Sequence, residues 1–153
     1  MEQTPFTPQE RVESLKAGGL SASGAILVFM ILLVINEWLA QWPIAVSKLP
    51  ESWISLSGSL ASVAISGLLF GVTYRYAIRQ DTNPQLKSGV VLAFSLVRGL
   101  AQIDTGFGIT DTVLPFVLMA VESWVVFSCD RIILDQALQR GWLKPFATNQ
   151  PAP

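Results

Sequence analysis

The stretch AILVFMILLVI at residues 25–35 contains no polar or charged side chain. Extended to residues 20–38, it reaches the ~20 residues that a helix needs to cross the ~30 Å hydrocarbon core of a bilayer. A buried helix of a soluble protein rarely stays apolar on every face over such a length. The stretch therefore predicts a membrane-spanning helix, and this helix determines the class of fold.

The composition of the whole chain agrees with a membrane protein. Hydrophobic residues make up 51% of the 153 residues and charged residues 14%, compared with roughly 25% charged in an average soluble domain. The mean hydropathy is +0.49. The net charge of -1 excludes the strongly basic surface of a nucleic-acid-binding protein. The chain has no His and a single Cys, which excludes a His-dependent triad, an imidazole metal site and an intramolecular disulfide.

Three further segments have the hydropathy of membrane spans, and short connections containing Pro, Asn or Gly separate them. Because short loops join antiparallel neighbours, the sequence predicts an all-α fold, an integral membrane four-helix up-and-down bundle with short loops. The third segment is the weakest, since it contains Arg98 and Gln102, and a re-entrant or in-plane helix is the alternative there. The predicted spans cover residues 20–38, 54–76, 88–103 and 113–134.

Two predicted cytoplasmic segments flank the membrane domain at residues 19–135. Residues 1–18 form an N-terminal segment, for which the sequence predicts a short surface helix broken by Gly18 and Gly19. Residues 136–153 form a C-terminal tail.

The distribution of basic residues orients the predicted bundle. If four helices cross and both termini are cytoplasmic, every Lys and Arg outside the membrane except Lys48 falls on the cytoplasmic side, and Arg98 lies within the third span. The positive-inside rule predicts this asymmetry. A three-span arrangement would instead place Arg131, Arg140 and Lys144 on the outer side, which fits poorly with the rule.

Arg98 and Glu122 are the two charges that the predicted spans place deepest in the membrane. At 1.5 Å per residue, each lies roughly 15 Å from one end of its span, near the midplane of the core. A lone charge at this depth costs at least ~3 kcal/mol, and the third and fourth spans are antiparallel neighbours. The sequence therefore predicts a direct ion pair between Arg98 and Glu122, which either fixes helix register or takes part in function.

Two faces rich in small or polar residues are further candidate sites. In the third span, Ser88, Ser95 and Gln102 recur at helical spacing, and we expect this polar face to point inward or toward a partner subunit. The second span carries a serine stripe beside a GxxxG motif, a pattern that lets helices approach closely. For this helix-docking face, packing within the bundle and docking onto a larger membrane complex are both open. The face comprises Ser59, Ser62, Ser66, Gly67 and Gly71.

Three stretches of the chain resemble a known group of proteins. These are ERVESLKAGGLSA at residues 10–22, RYAIRQDTNPQLKSGVVLAFSLVRGLAQID at residues 75–104 and DRIILDQALQRGWLKPF at residues 130–146. They are similar to a small family of four-span thylakoid membrane proteins of cyanobacteria and plant plastids. The resemblance implies a photosynthetic membrane, with both termini in the cytoplasm or stroma, and it carries over no functional residue.

These features favour a non-enzymatic thylakoid membrane protein, either an accessory subunit or an assembly or stability factor of a larger photosynthetic complex. A small transporter or channel subunit, formed as a homo-oligomer, is the alternative that Arg98, Glu122 and the polar face of the third span suggest. Pigment binding is a third hypothesis. No cofactor is predicted, but chlorophyll or carotenoid binding remains open. Because the chain lacks His, a chlorophyll would need a carboxylate, amide, backbone or water ligand.

Engineered cysteines test the predicted topology, with the native Cys129 replaced by Ala. Cysteines at Thr4 and Thr148 are expected to react with a membrane-impermeant maleimide from the same face, and a cysteine at Thr105 from the opposite face, because an even number of spans returns the chain to its starting side. Labelling of positions 4 and 148 from different faces would contradict the four-span arrangement.

Overall fold

The computed structural model describes residues 8–39, 52–79, 83–106 and 114–145, and within these ranges the chain is helical and contains no strand. The predicted all-α class with four helices is confirmed. The helices match the predicted segments to within a few residues, except that the first helix begins much earlier. Residues 1–7, Lys48 and residues 146–153, to which the sequence assigned positions, lie outside the described residues. The helices are α1 (Pro8–Leu39), α2 (Trp53–Ile78), α3 (Pro84–Gly106) and α4 (Leu114–Gln139).

The predicted break at Gly18 and Gly19 is wrong, because α1 runs through both glycines without interruption. A Cβ at Gly18 would lie 3.0 Å from Val72 Cγ2 and 3.1 Å from the Leu68 carbonyl oxygen, so Gly18 serves the close packing of α1 on α2. The glycines cost the helix about 1 kcal/mol each in propensity. Packing along a long helix offsets that cost, and a hydropathy pattern cannot reveal the packing.

The C-terminal segment begins as part of the bundle. A turn with Gly141 at φ 74° follows α4, and the amide of Trp142 donates to the Ala137 carbonyl at 2.9 Å. Together with the bond from the Gly141 amide to Leu138, this is a Schellman cap. Leu143 then packs into the core. The predicted tail therefore starts with ordered contacts.

The four helices alternate in direction around a ring. α1 packs chiefly on α2 and α3 on α4, while α1 also contacts α4 and α2 contacts α3. Over their described lengths α1 and α3 do not touch, so they occupy opposite corners. α1 and α3 begin at one side of the bundle, and α2 and α4 end at that same side. We call this side the terminal end. The opposite side is called the far end.

Gly67 and Gly71 bring the backbones of α1 and α2 together. A Cβ at Gly67 would lie 2.8 Å from Ala25 Cβ, and one at Gly71 would lie 2.7 Å from Ser21 Cβ and against the Ala17 carbonyl oxygen. Of the two interpretations open for the GxxxG motif, packing within the bundle is the observed one. Both glycines face α1 and leave no surface for a partner protein.

An aromatic cluster fills the space between α2, α3 and α4. The Phe70 ring centroid lies 5.4 Å from Tyr74, 5.4 Å from Phe94 and 5.1 Å from Phe127. Phe94 and Phe127 are 5.7 Å apart. Offset and edge-on pairs at these separations add attraction to the burial of the rings. The cluster holds α3 and α4 against the C-terminal part of α2.

The outer surface of the bundle is apolar and its interior carries polar groups. Large hydrophobic side chains are exposed on all four helices, with Val34 69% and Val97 70% accessible. A soluble monomer rarely exposes so many large apolar side chains along every helix. By length and composition, α1 and α2 are, within the described residues, the two helices able to cross a membrane. Buried polar side chains include Ser14, Ser21, Asn36, Arg75, Ser95, Ser123 and Asp130.

Replacing Gly71 by Ala tests the close contact of α1 and α2. The added methyl group meets the Ala17 carbonyl and Ser21, so we expect the free energy of unfolding to fall by about 1–3 kcal/mol, as for an overpacked core. Gly89→Ala is the matched control, since nothing lies within 4 Å of a Cβ there, and it should be neutral or stabilising by up to about 1 kcal/mol. Equal thermal stability of the two variants in detergent would contradict the tight α1–α2 contact.

Candidate functional site: a polar groove between two helices

Arg98 faces α2 because its neighbour Gly99 faces α4. A Cβ at Gly99 would lie 3.1 Å from the Cα and Cβ atoms of Ala120, so the two backbones meet at this point. One residue corresponds to about 100° of rotation around an α-helix, which turns Arg98 away from α4. Its Nη1 atom donates to the Oγ atoms of Ser62 at 3.0 Å and Ser66 at 3.4 Å.

Glu122 faces α1, as its hydrogen bond shows. Its Oε1 atom accepts a hydrogen bond from Asn36 Nδ2 at 2.7 Å, and Asn36 is buried. The next residue, Ser123, donates to Gln102 Oε1 of α3 at 3.0 Å. Consecutive residues of α4 thus bond to different helices, and the carboxylate belongs to the α1–α4 contact.

The ion pairs of the described residues do not include Arg98 with Glu122, so the predicted direct ion pair is not formed. The expectation of similar depth holds, because the contact of Gly99 with Ala120 places residues 98 and 122 within about one turn of each other along the bundle axis. The rotation of α3 and α4 separates the side chains. Hydropathy reports how deep a residue lies, but it does not report which neighbour the residue faces.

The polar face of α3 is turned toward α4. Ser95 is buried and donates to the Val91 carbonyl at 2.7 Å, while Ser88 accepts a bond from Arg131 Nη1 at 3.0 Å. Gln102 bonds to Ser123, as described above. Two of the three side chains therefore bond to α4, and the face contributes to the interior of the bundle.

The serine face of α2 and Arg98 line an open groove between α2 and α3, with a volume of about 810 Å³. We call it the Arg98 groove. Phe127 and Met119 of α4 form part of its floor, and Phe94 and Val97 of α3 part of its other wall. The groove extends from the far end of the bundle to the aromatic cluster and opens on the outer surface. Its α2 wall consists largely of small residues, namely Ser55, Gly58, Ser59, Ser62 and Ser66.

The terminal end contains a buried arginine that the sequence interpretation treated only as one of the basic residues at the membrane surface. Arg75 is 2% exposed and forms an ion pair with the Glu10 carboxylate. It also donates to Ser14 Oγ at 2.7 Å and, through Nε, to the Lys144 carbonyl at 2.9 Å. Arg75 thereby ties the start of α1 and the segment after α4 to α2. No local sequence pattern links positions so far apart.

The acidic residues near the terminal end have different environments. The hydrogen bond from Lys16 to Glu13, at 2.8 Å, lowers the pKa of the Glu13 carboxyl below its usual value. Asp135 accepts bonds from Tyr74 at 2.8 Å and from Lys87 at 2.9 Å. Asp130 is fully buried, and its Oδ2 accepts a bond from Ser21 at 2.8 Å. The apolar residues Val126, Phe127 and Leu134 lie three or four positions from Asp130 and are buried, so helical spacing was the signal in the sequence that Asp130 faces inward.

Neither a metal site nor a known relative identifies the groove. In the described part of the chain, no three Asp, Glu or Cys side chains come together as a metal-binding cluster. Comparison with known protein families, with curated proteins and with solved structures finds no match. The geometry defines the protein as a four-helix bundle with an apolar exterior and an arginine-containing groove on its side.

A pair of double-mutant cycles tests the observed partners of Glu122. The cycle of Asn36→Leu and Glu122→Leu should give a coupling energy of about 1 kcal/mol, the size of a hydrogen bond between membrane helices. The cycle of Arg98→Leu and Glu122→Leu should give a smaller coupling energy, since the two charges interact only at a distance and form no direct pair. The measurement is thermal stability in detergent. Stronger coupling in the Arg98 cycle would contradict the rotations of α3 and α4.

Proposed function

We propose that the protein is an integral membrane four-helix bundle whose function is non-enzymatic. In this proposal it is an accessory subunit or assembly factor that docks onto a larger membrane protein complex. The single observation that carries the proposal is the Arg98 groove. It combines an open, mostly apolar surface with a wall of small residues and a guanidinium that lacks a carboxylate partner among the described residues.

Insertion of all four helices is supported by the surface of the bundle. α3 and α4 each expose large apolar side chains, as do the two more hydrophobic helices. α3 is the shortest helix, with 23 residues, and at 1.5 Å per residue it is about 35 Å long, enough for a ~30 Å core. Of the buried polar side chains of α3 and α4, Ser123 and Asp130 bond across helices and Ser95 bonds to its own helix, which lowers the cost of placing them in a membrane.

Both ends of the chain are proposed to lie on the cytoplasmic or stromal side. Every described Lys and Arg except Arg98 belongs to the half of the bundle nearer the terminal end, where α1 begins and α4 ends. The positive-inside rule assigns that end to the cytoplasm. The proposed thylakoid location and photosynthetic complex rest on the resemblance of residues 10–22, 75–104 and 130–146 to the thylakoid family.

Docking accounts for the groove better than transport does. A pore would require the polar side chains of α3 to line a path, but Ser88 and Gln102 bond to α4 and Ser95 bonds to its own helix. The Arg98 groove lies on the outside of the bundle, where small side chains on α2 allow another helix to approach closely. In a membrane, such van der Waals contact and polar bonds drive helix association.

Filling the groove from its exposed side tests the docking function. Gly58 lines the groove, and a Cβ at this position would have nothing within 4 Å, so Gly58→Leu should fold normally and block docking. We expect wild-type protein from gently solubilised native membranes to migrate with a large complex and the variant to migrate alone, at unchanged abundance.

Ala61→Leu is the matched control, because it enlarges an exposed position on the same helix outside the groove. This variant should remain in the complex. Co-migration of Gly58→Leu with the complex, or migration of the wild-type protein as a free monomer, would overturn the proposal.

A further inference from the structure

The guanidinium of Arg98 has unused donors inside the groove. Nη1 bonds to Ser62 and Ser66, whereas Nε and Nη2 have no hydrogen-bond partner among the described residues. A guanidinium carries five N–H donors in a planar fork, and a carboxylate can accept two of them in parallel. Two serine hydroxyls satisfy part of this capacity, and Glu122 acts on the charge electrostatically without forming an ion pair. The guanidinium, which has no direct carboxylate partner among the described residues, faces an open groove of about 810 Å³.

We propose that the Arg98 groove receives a transmembrane helix of another protein, and that this helix carries an Asp or Glu at the depth of Arg98. The inference rests on the proposed docking function and specifies the chemistry of the partner. The partner carboxylate pairs with Nε and Nη2 of Arg98, while the remainder of the partner helix packs on the small residues of α2. A half-buried arginine on this chain and a carboxylate on another then form a direct pair only in the complex.

The dimensions of the groove fit a helix. It follows α2 from Ser55 to Leu69, a distance of about 21 Å or four helical turns. The serines Ser55, Ser59, Ser62 and Ser66 recur every three or four positions along this length, and Gly58 lies beside Ser59. That spacing places them on one face, where they let a second backbone approach closely. Contact over four turns also fixes the height at which the partner carboxylate meets Arg98.

A second copy of this chain does not supply the missing charge. A two-fold symmetric dimer through the groove would bring the Arg98 side chains of both copies toward each other. The acidic residues of α4 at membrane depth, Glu122 and Asp130, bond to Asn36 and Ser21 of α1. These two carboxylates therefore bond toward α1 and form no direct pair with Arg98 across such a dimer, so a different chain is the occupant that we propose.

The depth of Arg98 favours a helix over a lipid headgroup. Arg98 lies eight positions before Gly106, where α3 ends, which is about 12 Å along the helix axis. Lipid phosphates lie outside the hydrocarbon core, whereas a side chain on a spanning helix can reach any depth. An acidic residue on a partner helix meets Arg98 without either group leaving the membrane interior.

Binding of designed transmembrane peptides tests the inference directly. The probe is a Leu/Ala helix of about 20 residues with a single central Glu, compared with the same helix carrying Gln or Lys. Purified full-length protein in phosphatidylcholine nanodiscs carries a fluorophore on the thiol introduced by Ser57→Cys, in a Cys129→Ala background. We expect the Glu peptide to bind about tenfold more tightly than the Gln peptide, a difference of about 1.4 kcal/mol.

Variants of Arg98 assign the preference to its charge. Arg98→Gln should bind the Glu and Gln peptides equally, Arg98→Lys should keep part of the preference, and Arg98→Glu should prefer the Lys peptide. Helicity and monodispersity of each variant confirm folding before binding is measured. Equal binding of the Glu and Gln peptides to the wild-type protein overturns the inference, as does an unchanged Glu preference in Arg98→Gln.

Two further outcomes separate this inference from its alternatives. If nanodiscs containing phosphatidylglycerol abolish the Glu preference, and native mass spectrometry detects that lipid bound only when Arg98 is present, a lipid phosphate occupies the groove and the inference falls. If the Gly58→Leu variant no longer migrates with the native complex but the wild-type protein binds the Glu and Gln peptides equally, the docking function stands and the acidic partner is excluded. If the wild-type protein prefers the Glu peptide but the Gly58→Leu variant still migrates with the native complex, the docking function is overturned instead.

Discussion

The close approach of α1 and α2 determines how the rest of the bundle can be arranged. Gly67 and Gly71 let the α2 backbone lie against Ser21 and Ala17 of α1, and this contact fixes the rotation of α2. Ser66, which precedes Gly67 by one residue and about 100°, must then face α3. The glycine face of α2 is thus covered by α1, and the adjacent serine face forms one wall of the Arg98 groove.

The arrangement of polar groups fits the apolar solvent of the proposed membrane location. Where lipid surrounds the helices, burial of apolar side chains gives no advantage, and polar groups find partners between helices. α4 forms such a bond with each of the other three helices. Glu122 bonds to Asn36 of α1, Asp135 to Tyr74 of α2 and Ser123 to Gln102 of α3. These bonds specify rotation, since they form only when the chosen faces meet.

The hydropathy pattern predicts where the helices lie along the chain, but it does not predict the rotation of each helix about its own axis. The apolar run at residues 25–35 and the breakers between segments correctly indicated four helices and their approximate ends. The failed ion pair of Arg98 and Glu122 marks the limit, because depth depends on position along one helix while contact depends on two rotations. Gly18 shows the same limit, since a glycine that ends an isolated helix and one that admits a neighbouring helix look alike in sequence. The burial of Arg75 could not be predicted for a third reason, because its partners Glu10 and Lys144 are distant in the chain.

Arg75 and Arg98 show two ways of placing a guanidinium in the same bundle. Arg75 has a carboxylate, a hydroxyl and backbone carbonyls around it, drawn from both ends of the chain, so the fold of a single chain neutralises its charge. Arg98 has two hydroxyls, and no described carboxylate pairs with it. A charge at membrane depth is costly when unpaired, and the chain has carboxylates on the adjacent helix that a different rotation of α3 could bring nearer. The bundle instead turns Arg98 into a groove, where Glu122 acts on its charge only at a distance, and its unused donors are the feature on which the proposed acidic partner depends.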